Sequence, residues 1–510
     1  MTTIPWITLL TFSPLAGVFA LWLLPKSAAA SARTVAFAST LLTLAIGLFL
    51  WHGFDSASGT MQYVQNLEWI PSLGANYHVG VDGLGILMVL LTSIIVPIAV
   101  LSTWRDEEKC PAYYSLMLLL QTGLFGTFTT LNFLHWFLYW EASLIPAFFL
   151  IKLWGGPGRS KAAVQFFIYT MVGSVAMLLS FLAIFWVTKT FDFLKLADLA
   201  KTGEISRLLG LSLTGWPELT RTQLPLVIFA GVFLGFAVKV PLIPFHTWLP
   251  STYSEAPTST TMLLTGLMSK MGVYGFLRIL LPIFPEQIRT LLTPLLWLAV
   301  ATIVFSACAA FAQKDLKRIL AYSSINHLGY CLLGVFSIAR FSGDDASLAT
   351  EKAAALNGVM LQMFNHGLTA PLLFCFVGFL ESRSGGLRTL DGFGGLRKVA
   401  PVFCGLMGIS VFASLGLPGL NGFIGEFLIF KGSFPLATWA TALSVIGILV
   451  TAIFLLTLIQ RVFNGPLNTR WSGMADLTLR ERLLVLPATA LMFYIGLSPQ
   501  FLIGKINATV

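Results

Sequence analysis

Apolar residues run through this chain in long blocks separated by short polar punctuation. Cutting at that punctuation leaves runs near residues 4 to 24, 34 to 51, 82 to 102, 111 to 131, 132 to 153, 162 to 187, 224 to 244, 256 to 281, 290 to 312, 317 to 338, 353 to 380, 401 to 430, 436 to 463 and 483 to 503. Nearly all reach the roughly 18 apolar residues that a membrane span requires. The pattern predicts an all-α, polytopic membrane protein of about fourteen transmembrane helices. The longer connections are residues 51–81, 188–223, 342–352, 381–400 and 464–482, none long enough for a domain of its own. The second of these mixes Phe191, Leu194, Leu196, Leu199 and Leu208 with charges, which predicts an amphipathic interfacial helix.

The first run is followed by Ser27-Ala28-Ala29-Ala30-Ser31-Ala32, a small-residue stretch of the kind found at signal cleavage sites. No Lys or Arg precedes the run, and it is longer than a signal's apolar region of about 7 to 15 residues, so the first helix is expected to stay in the mature protein. Composition agrees with a lipid solvent. The chain is 56% hydrophobic and 10% charged, whereas soluble proteins average about 25% charged.

Charge then sets orientation. Of the 31 Lys and Arg, eighteen fall in connections after odd-numbered helices, eleven on the other side, and Lys239 and Lys270 inside spans. The positive-inside rule places the odd connections in the cytoplasm and both termini on the non-cytoplasmic side of a bacterial inner membrane or equivalent energy-transducing membrane. The net charge of +9 is thereby a topology signal. A nucleic-acid partner, which needs a basic face on a soluble domain, is excluded. Lys314, Lys317 and Arg318 read as part of the same signal, and His135 as an interfacial packing residue. The five cysteines are scattered without a CxxC pair and read as packing residues.

Ionisable groups are expensive at the bilayer centre, so each one placed mid-span is a functional candidate. Glu141 in LYWEASLIP, Lys239 in GFAVKVPLIPFHTWLP, Lys270 in TGLMSKMGVYG and Glu426 in GLPGLNGFIGEFLIF qualify, with His327 and His366 beside them. Pro241 and Pro244 follow Lys239, and Gly416, Pro418, Gly419, Gly422 and Gly425 precede Glu426, so spans seven and twelve should be discontinuous. Unwound backbone at membrane depth is tolerated where protein or water satisfies it, which puts polar cavities beside Lys239 and Glu426. Glu141 and Lys270 stand in otherwise unbroken spans.

Broken helices at seven and twelve, with Glu141 and His327 in five and ten, share an offset of five. An odd offset reverses direction through the membrane and predicts two inverted five-helix repeats. The chain then divides into residues 1–110, helices one to three; 111–281, the first repeat; 282–463, the second repeat; and 464–510, helix fourteen.

From about residue 82 to 457 the sequence resembles the antiporter-like membrane subunits of complex I, specifically the M type. Trp140, Glu141 and Pro146 match that family's Trp-Glu and following Pro. Lys239, Pro241, Pro244, His246, Trp248, Leu249 and Pro250 match its Lys-x-Pro-x-x-Pro-x-His-x-Trp-Leu-Pro. Lys270, the Ala321 to Ser324 motif with His327, and Gly425-Glu426-Phe427 match as well. Paralogues of the L and N types and the D subunits of multi-subunit cation/proton antiporters carry Lys where this chain has Glu426. The family usually continues Trp-Leu-Pro with Asp-Ala-His, whereas Ser251, Thr252 and Tyr253 stand here, as in a divergent, photosynthetic-type or hydrogenase-linked branch.

The resemblance implies a proton-translocating membrane-arm subunit of a complex I-type quinone oxidoreductase, with Glu141 paired to Lys239. Protons would pass along Lys239, Lys270 and His327, leave near Glu426, and have His366 and His246 as further relay groups. No dinucleotide fingerprint, Walker loop or iron-sulfur cysteine pattern occurs, so NADH, FMN, iron-sulfur clusters and quinone are expected in partner subunits, among them L-like and N-like neighbours. The alternatives are a subunit of a cation/proton antiporter or membrane-bound hydrogenase, and a scaffold whose charges only join helices.

Overall fold

The computed structural model describes residues 4–103, 110–212, 223–340 and 346–510. Each apolar run coincides with a helix, or with a helix and its continuation past a break. Among the described residues nine helices are long and apolar enough to cross a membrane. Leu479–Leu497 and Gln500–Ile506 form a tenth that is bent by 73°, and Trp6–Trp22, Gln223–Lys239 and Pro401–Ser414 are shorter apolar helices.

The helices sort into two shells. Gly83–Ser102, Thr258–Ile283, Leu316–Ile338 and Ala349–Ser384 are buried on nearly every side. Ala29–Gly53, Arg159–Thr188 and Thr438–Phe463 keep most of their surface exposed, as lipid-facing helices do. Lys270, His327 and His366 all lie on inner helices. A polar group there has other helices around it instead of hydrocarbon.

Two predicted breaks are present. The Gln223–Lys239 helix stops at Lys239, and a new helix, Trp248–Glu255, follows an unwound stretch holding Pro241 and Pro244. The freed backbone is satisfied within the protein. Ile243 N–H donates to Thr302 Oγ1 (3.1 Å), and the Val238 carbonyl accepts from Trp248 Nε1 (3.0 Å). The second break separates Pro401–Ser414 from Asn421–Leu436, with Gly416 and Gly419 at φ of 78° and 92°, a region that favours glycine. A third, the 73° bend at the end of the last span, was not predicted.

Two further features depart from the sequence pattern. Residues 51–81 are more than a connection. Gln62–Ile70 and Ala75–Val81 pair as an antiparallel hairpin that caps one end of the bundle. Thr8 bonds the hairpin through Gln65 (2.5 Å) and Tyr77 (2.7 Å), and Thr509 Oγ1 accepts from Gly83 N–H (2.8 Å). The first described helix and the last residues of the chain therefore meet the same end of the bundle. The connection at 188–223 holds two short amphipathic helices, Phe193–Lys201 and Glu204–Ser212, and residues 213–222 lie outside the described residues.

Candidate functional site

The Lys270 helix is not regular, contrary to its unbroken sequence pattern. Residues Leu264–Met268 form a π turn, in which Ser269 N–H donates to the Leu264 carbonyl five residues back. The widened turn leaves the Thr265 carbonyl to accept from Lys270 Nζ (2.5 Å) and from Ser269 Oγ (3.0 Å). Such bulges are frequent at functional sites because they turn backbone acceptors toward a side chain. Lys270 is wholly buried, and its ammonium also lies 2.6 Å from Nδ1 of His366. Gly272 lets this helix close on the broken end of its neighbour: a Cβ there would stand 2.6 Å from Val240 Cγ2 and 2.9 Å from its backbone nitrogen.

The line continues. The rings of His366 and His327 are 5.3 Å apart between centroids. His327 Nδ1 lies 3.0 Å from Glu426 Oε1, and its Nε2 is 3.1 Å from Ser414 Oγ. Gln362 Nε2 donates to the same Glu426 oxygen at 3.3 Å. A cavity of about 10 Å³ sits among His327, Gln362, His366, Ser414 and Glu426, which is close to the room one water needs. Gly416 permits the approach of the carboxylate, since a Cβ at that position would be 2.8 Å from Glu426 Oε2.

Asn421, first residue after the second break, is tied to the helix bearing His366. Asn365 Nδ2 donates to the Asn421 carbonyl (2.6 Å), and Asn421 Nδ2 donates to the Asn365 carbonyl and Thr369 Oγ1 (both 3.3 Å). Lys270, His366, His327 and Glu426 thus form one buried file in which each group has a neighbour able to take or give a proton.

Lys239 and Glu141 stand apart from that file. Lys239 is buried, with Nζ 4.8 Å from the centroid of the Trp140 ring. The expected direct pairing with Glu141 is absent: no ion pair joins them among the described residues. Consecutive residues on a helix point about 100° apart, so a lysine seated on Trp140 does not meet Glu141 head on. The two remain within electrostatic range, and Glu141 Oε1 is buried without a hydrogen-bond partner. His246 lies half-buried in the unwound stretch, its ring 6.3 Å from that of Tyr322 and its Nδ1 unbonded, and makes no hydrogen bond to the file.

Some participants were missed in the sequence. Gln362, Asn365 and Thr369 flank His366 at spacings that share one helix face, a polar stripe inside an apolar run that was there to be read. Lys317, assigned above to topology, is instead buried and paired with Glu381 at 2.8 Å. Its partner comes from a segment 64 residues away, which no local pattern announces.

Broken helices beside a buried file of lysine, histidines and carboxylate define an antiporter-like helical membrane subunit. The chain belongs to the NADH:quinone oxidoreductase/Mrp antiporter transmembrane family, whose profile matches residues 130–453. It is 34% identical to NADH-quinone oxidoreductase subunit M of Rhodobacter capsulatus, over 99% of this chain and 95% of that one. Identity to F(420)H(2) dehydrogenase subunit M of Methanosarcina mazei is 35%, over 91% of this chain and 89% of that one. Among solved structures, a chain of respiratory complex I from Thermus thermophilus with bound NADH superposes with a TM-score of 0.83 at 27% identity, covering 99% of this chain and 98% of that one.

Proposed function

We propose that this chain is a proton-translocating membrane-arm subunit of a complex I-type quinone oxidoreductase and carries out no redox step itself. The observation that carries the reading is the continuous file Lys270, His366, His327 and Glu426. A proton on Lys270 can move to His366, cross beside a space sized for one water to His327, and reach Glu426, 3.0 Å from His327, beside the second helix break. Lys239 delivers protons toward Lys270, and Glu141 modulates it through space, since a nearby carboxylate favours the charged ammonium and its withdrawal favours release. Carrying one charge against 100 mV takes about 2.3 kcal/mol. That energy comes from electron transfer in partner subunits, which hold the donor site, FMN, iron-sulfur clusters and quinone. L-like and N-like subunits are its neighbours in the membrane arm.

The same reading includes fourteen spans and two inverted five-helix repeats, residues 111–281 and 282–463. Support comes from a pair of isolated β-bridges, Asn132 with Asp192 and Asp315 with Thr389. In the first, Phe133 N–H donates to Phe191 O (2.8 Å) and Phe193 N–H to Leu131 O (2.9 Å). In the second, Leu316 N–H donates to Arg388 O and Leu390 N–H to Lys314 O (both 2.9 Å). Asn132 and Asp315 cap helices that stand five apart in chain order, so the bridges occupy equivalent places in the two units. The basic bias puts the hairpin end of the bundle, and with it both termini, outside the cytoplasm.

The test is the native complex, purified with this chain and reconstituted in sealed vesicles with quinone and an electron donor, NADH or reduced deazaflavin. Internal acidification or alkalinisation coupled to electron transfer is expected; turnover without proton movement would overturn the reading. Exchange of sodium for protons without any electron donor would instead favour the antiporter alternative.

A further inference from the structure

The two halves of the Thr258–Ile283 region differ in kind on either side of Lys270. Before the lysine, Thr258, Thr261, Thr265 and Ser269 follow one another at spacings of three and four, one helix face of hydroxyls. Thr265 Oγ1 shares a hydrogen bond with Ser324 Oγ at 3.0 Å, and Tyr113 joins the hydroxyl-rich start of the helix through Ser259 at 2.5 Å. Thr258 lines a cavity of about 120 Å³ with Ser102, Ser382, Thr478 and Glu481, at the end of the bundle away from the hairpin. Hydroxyls donate and accept at once, so they can hand a proton on without becoming charged.

After the lysine, its own helix face carries Tyr274 and Arg278, four and eight residues on. The Tyr274 hydroxyl donates to the Phe128 carbonyl at 3.1 Å and accepts from Arg278 Nε at 3.3 Å, which fixes both its proton and a lone pair. Arg278 is ion-paired through NH2 with Asp82, whose Oδ1 also accepts from Gly85 N–H (3.0 Å) as the cap of the Gly83–Ser102 helix. Beyond them lies the larger cavity of about 410 Å³ at the hairpin end, lined by Asp82, Arg278, Ile288, Lys352, Met360 and Val510. A cavity thus opens at each end of the bundle, and the Thr258–Ile283 region lines both. Arg480 lines the other cavity from the last span, whereas at the hairpin end the guanidinium is carried by the Lys270 helix itself, two turns beyond the lysine.

We infer that Arg278, clamped by Asp82 and Tyr274, is a fixed electrostatic plug that closes Lys270 to the hairpin side of the membrane. Lys270 therefore loads from Lys239 or along the hydroxyl face, not from the hairpin side, and unloads through His366. Arginine suits the task because it stays charged throughout the accessible pH range and cannot act as a relay. Its charge raises the energy of any excess proton approaching through the narrow, low-dielectric space, as arginines do in pores that exclude cations. The inference rests on the proton-translocating reading above and adds to it the device that prevents back-flow. A merely structural pair would tie the two helices together with no effect on leakage.

The test uses the whole complex in sealed vesicles with an interior pH dye, a potassium diffusion potential and no electron donor. Replacing the pair by a neutral hydrogen-bonding one, Arg278→Gln with Asp82→Asn, leaves no unpaired buried charge. Passive proton flux should rise about tenfold, and the protons moved per electron should fall while electron transfer continues. Arg278→Lys, which keeps the charge, should remain tight. Adding Lys270→Met to the leaky variant should abolish the leak. A neutral pair as tight as the parent, or a leak that survives Lys270→Met, overturns the plug. Should the neutral pair fail to assemble, Arg278→Gln alone is read by the same two outcomes. Coupled pumping by the parent complex in the same vesicles tests the underlying reading separately.

Discussion

The Lys270 ammonium lies 2.6 Å from Nδ1 of His366, so a single proton can be held by either nitrogen. The Thr265 carbonyl at 2.5 Å steadies the charged lysine without competing for the imidazole. Lys270→Met should cut proton pumping about 100-fold, the scale of a lost positioned acid or base. Assembly should be unaffected, because an apolar side chain of similar length is no worse in a membrane interior than a charge. Pumping per electron in vesicles, at matched subunit content, checks this. Retained pumping would remove Lys270 from the path.

At the other end of the file, Glu426→Gln keeps the size and the hydrogen bonds available to His327 and Gln362 but removes the site that takes up a proton. Pumping should fall by about 10- to 100-fold while thermal stability of the complex is unchanged. The informative comparison is the melting curve against the pumping ratio. A parallel loss of both would mean that Glu426 only braces the helix break.

Lys239 rests on the Trp140 ring, with Glu141 acting from one residue further along the helix. Two effects should separate. Trp140→Leu should remove a cation–π contact of about 0.5 to 2 kcal/mol, and Glu141→Gln should remove through-space control of the lysine. In a double-mutant cycle on pumping, Glu141→Gln and Lys239→Met should depart from additivity by more than about 0.5 kcal/mol, since distant independent groups add more closely than that. Simple addition would mean that the carboxylate does not govern Lys239.

Asp192 lies outside the membrane-crossing helices and ties the following loop to the hairpin, with His78 Nδ1 at 2.5 Å. Burial pushes its carboxyl up, but His78 and the amides of Lys195 and Leu194 together hold it below the ordinary value. A depressed folded-state value means that the stabilisation is complete above the unfolded value and is lost as pH falls through the folded one. Amide protection over residues 62–81, corrected for intrinsic exchange, should therefore decline below about pH 4. Asp192→Asn should remove that pH dependence. An unchanged profile in the variant would place the acid sensitivity elsewhere.

Much of this protein is written locally. A helix satisfies its own backbone, and a bilayer demands that it do so, so the apolar runs led to the helices with boundaries close to those observed. Pro241, Pro244, Gly416 and Gly419 announced two of the three breaks because each acts on the backbone where it stands. Lys270, His327, His366 and Glu426 were legible one at a time, since any ionisable group inside an apolar run is conspicuous. Which groups touch was another matter. Lys270 joined His366 rather than the Lys239 region, Lys239 met Trp140 rather than Glu141, Lys317 found Glu381, and Arg278 found Asp82 across 196 positions. The π turn at Leu264–Met268 and the hairpin at residues 62–81 also escaped notice. Contacts of that kind depend on the rotation and close approach of helices remote in the chain. Those are decided when the whole bundle packs, and no local pattern of residues specifies them.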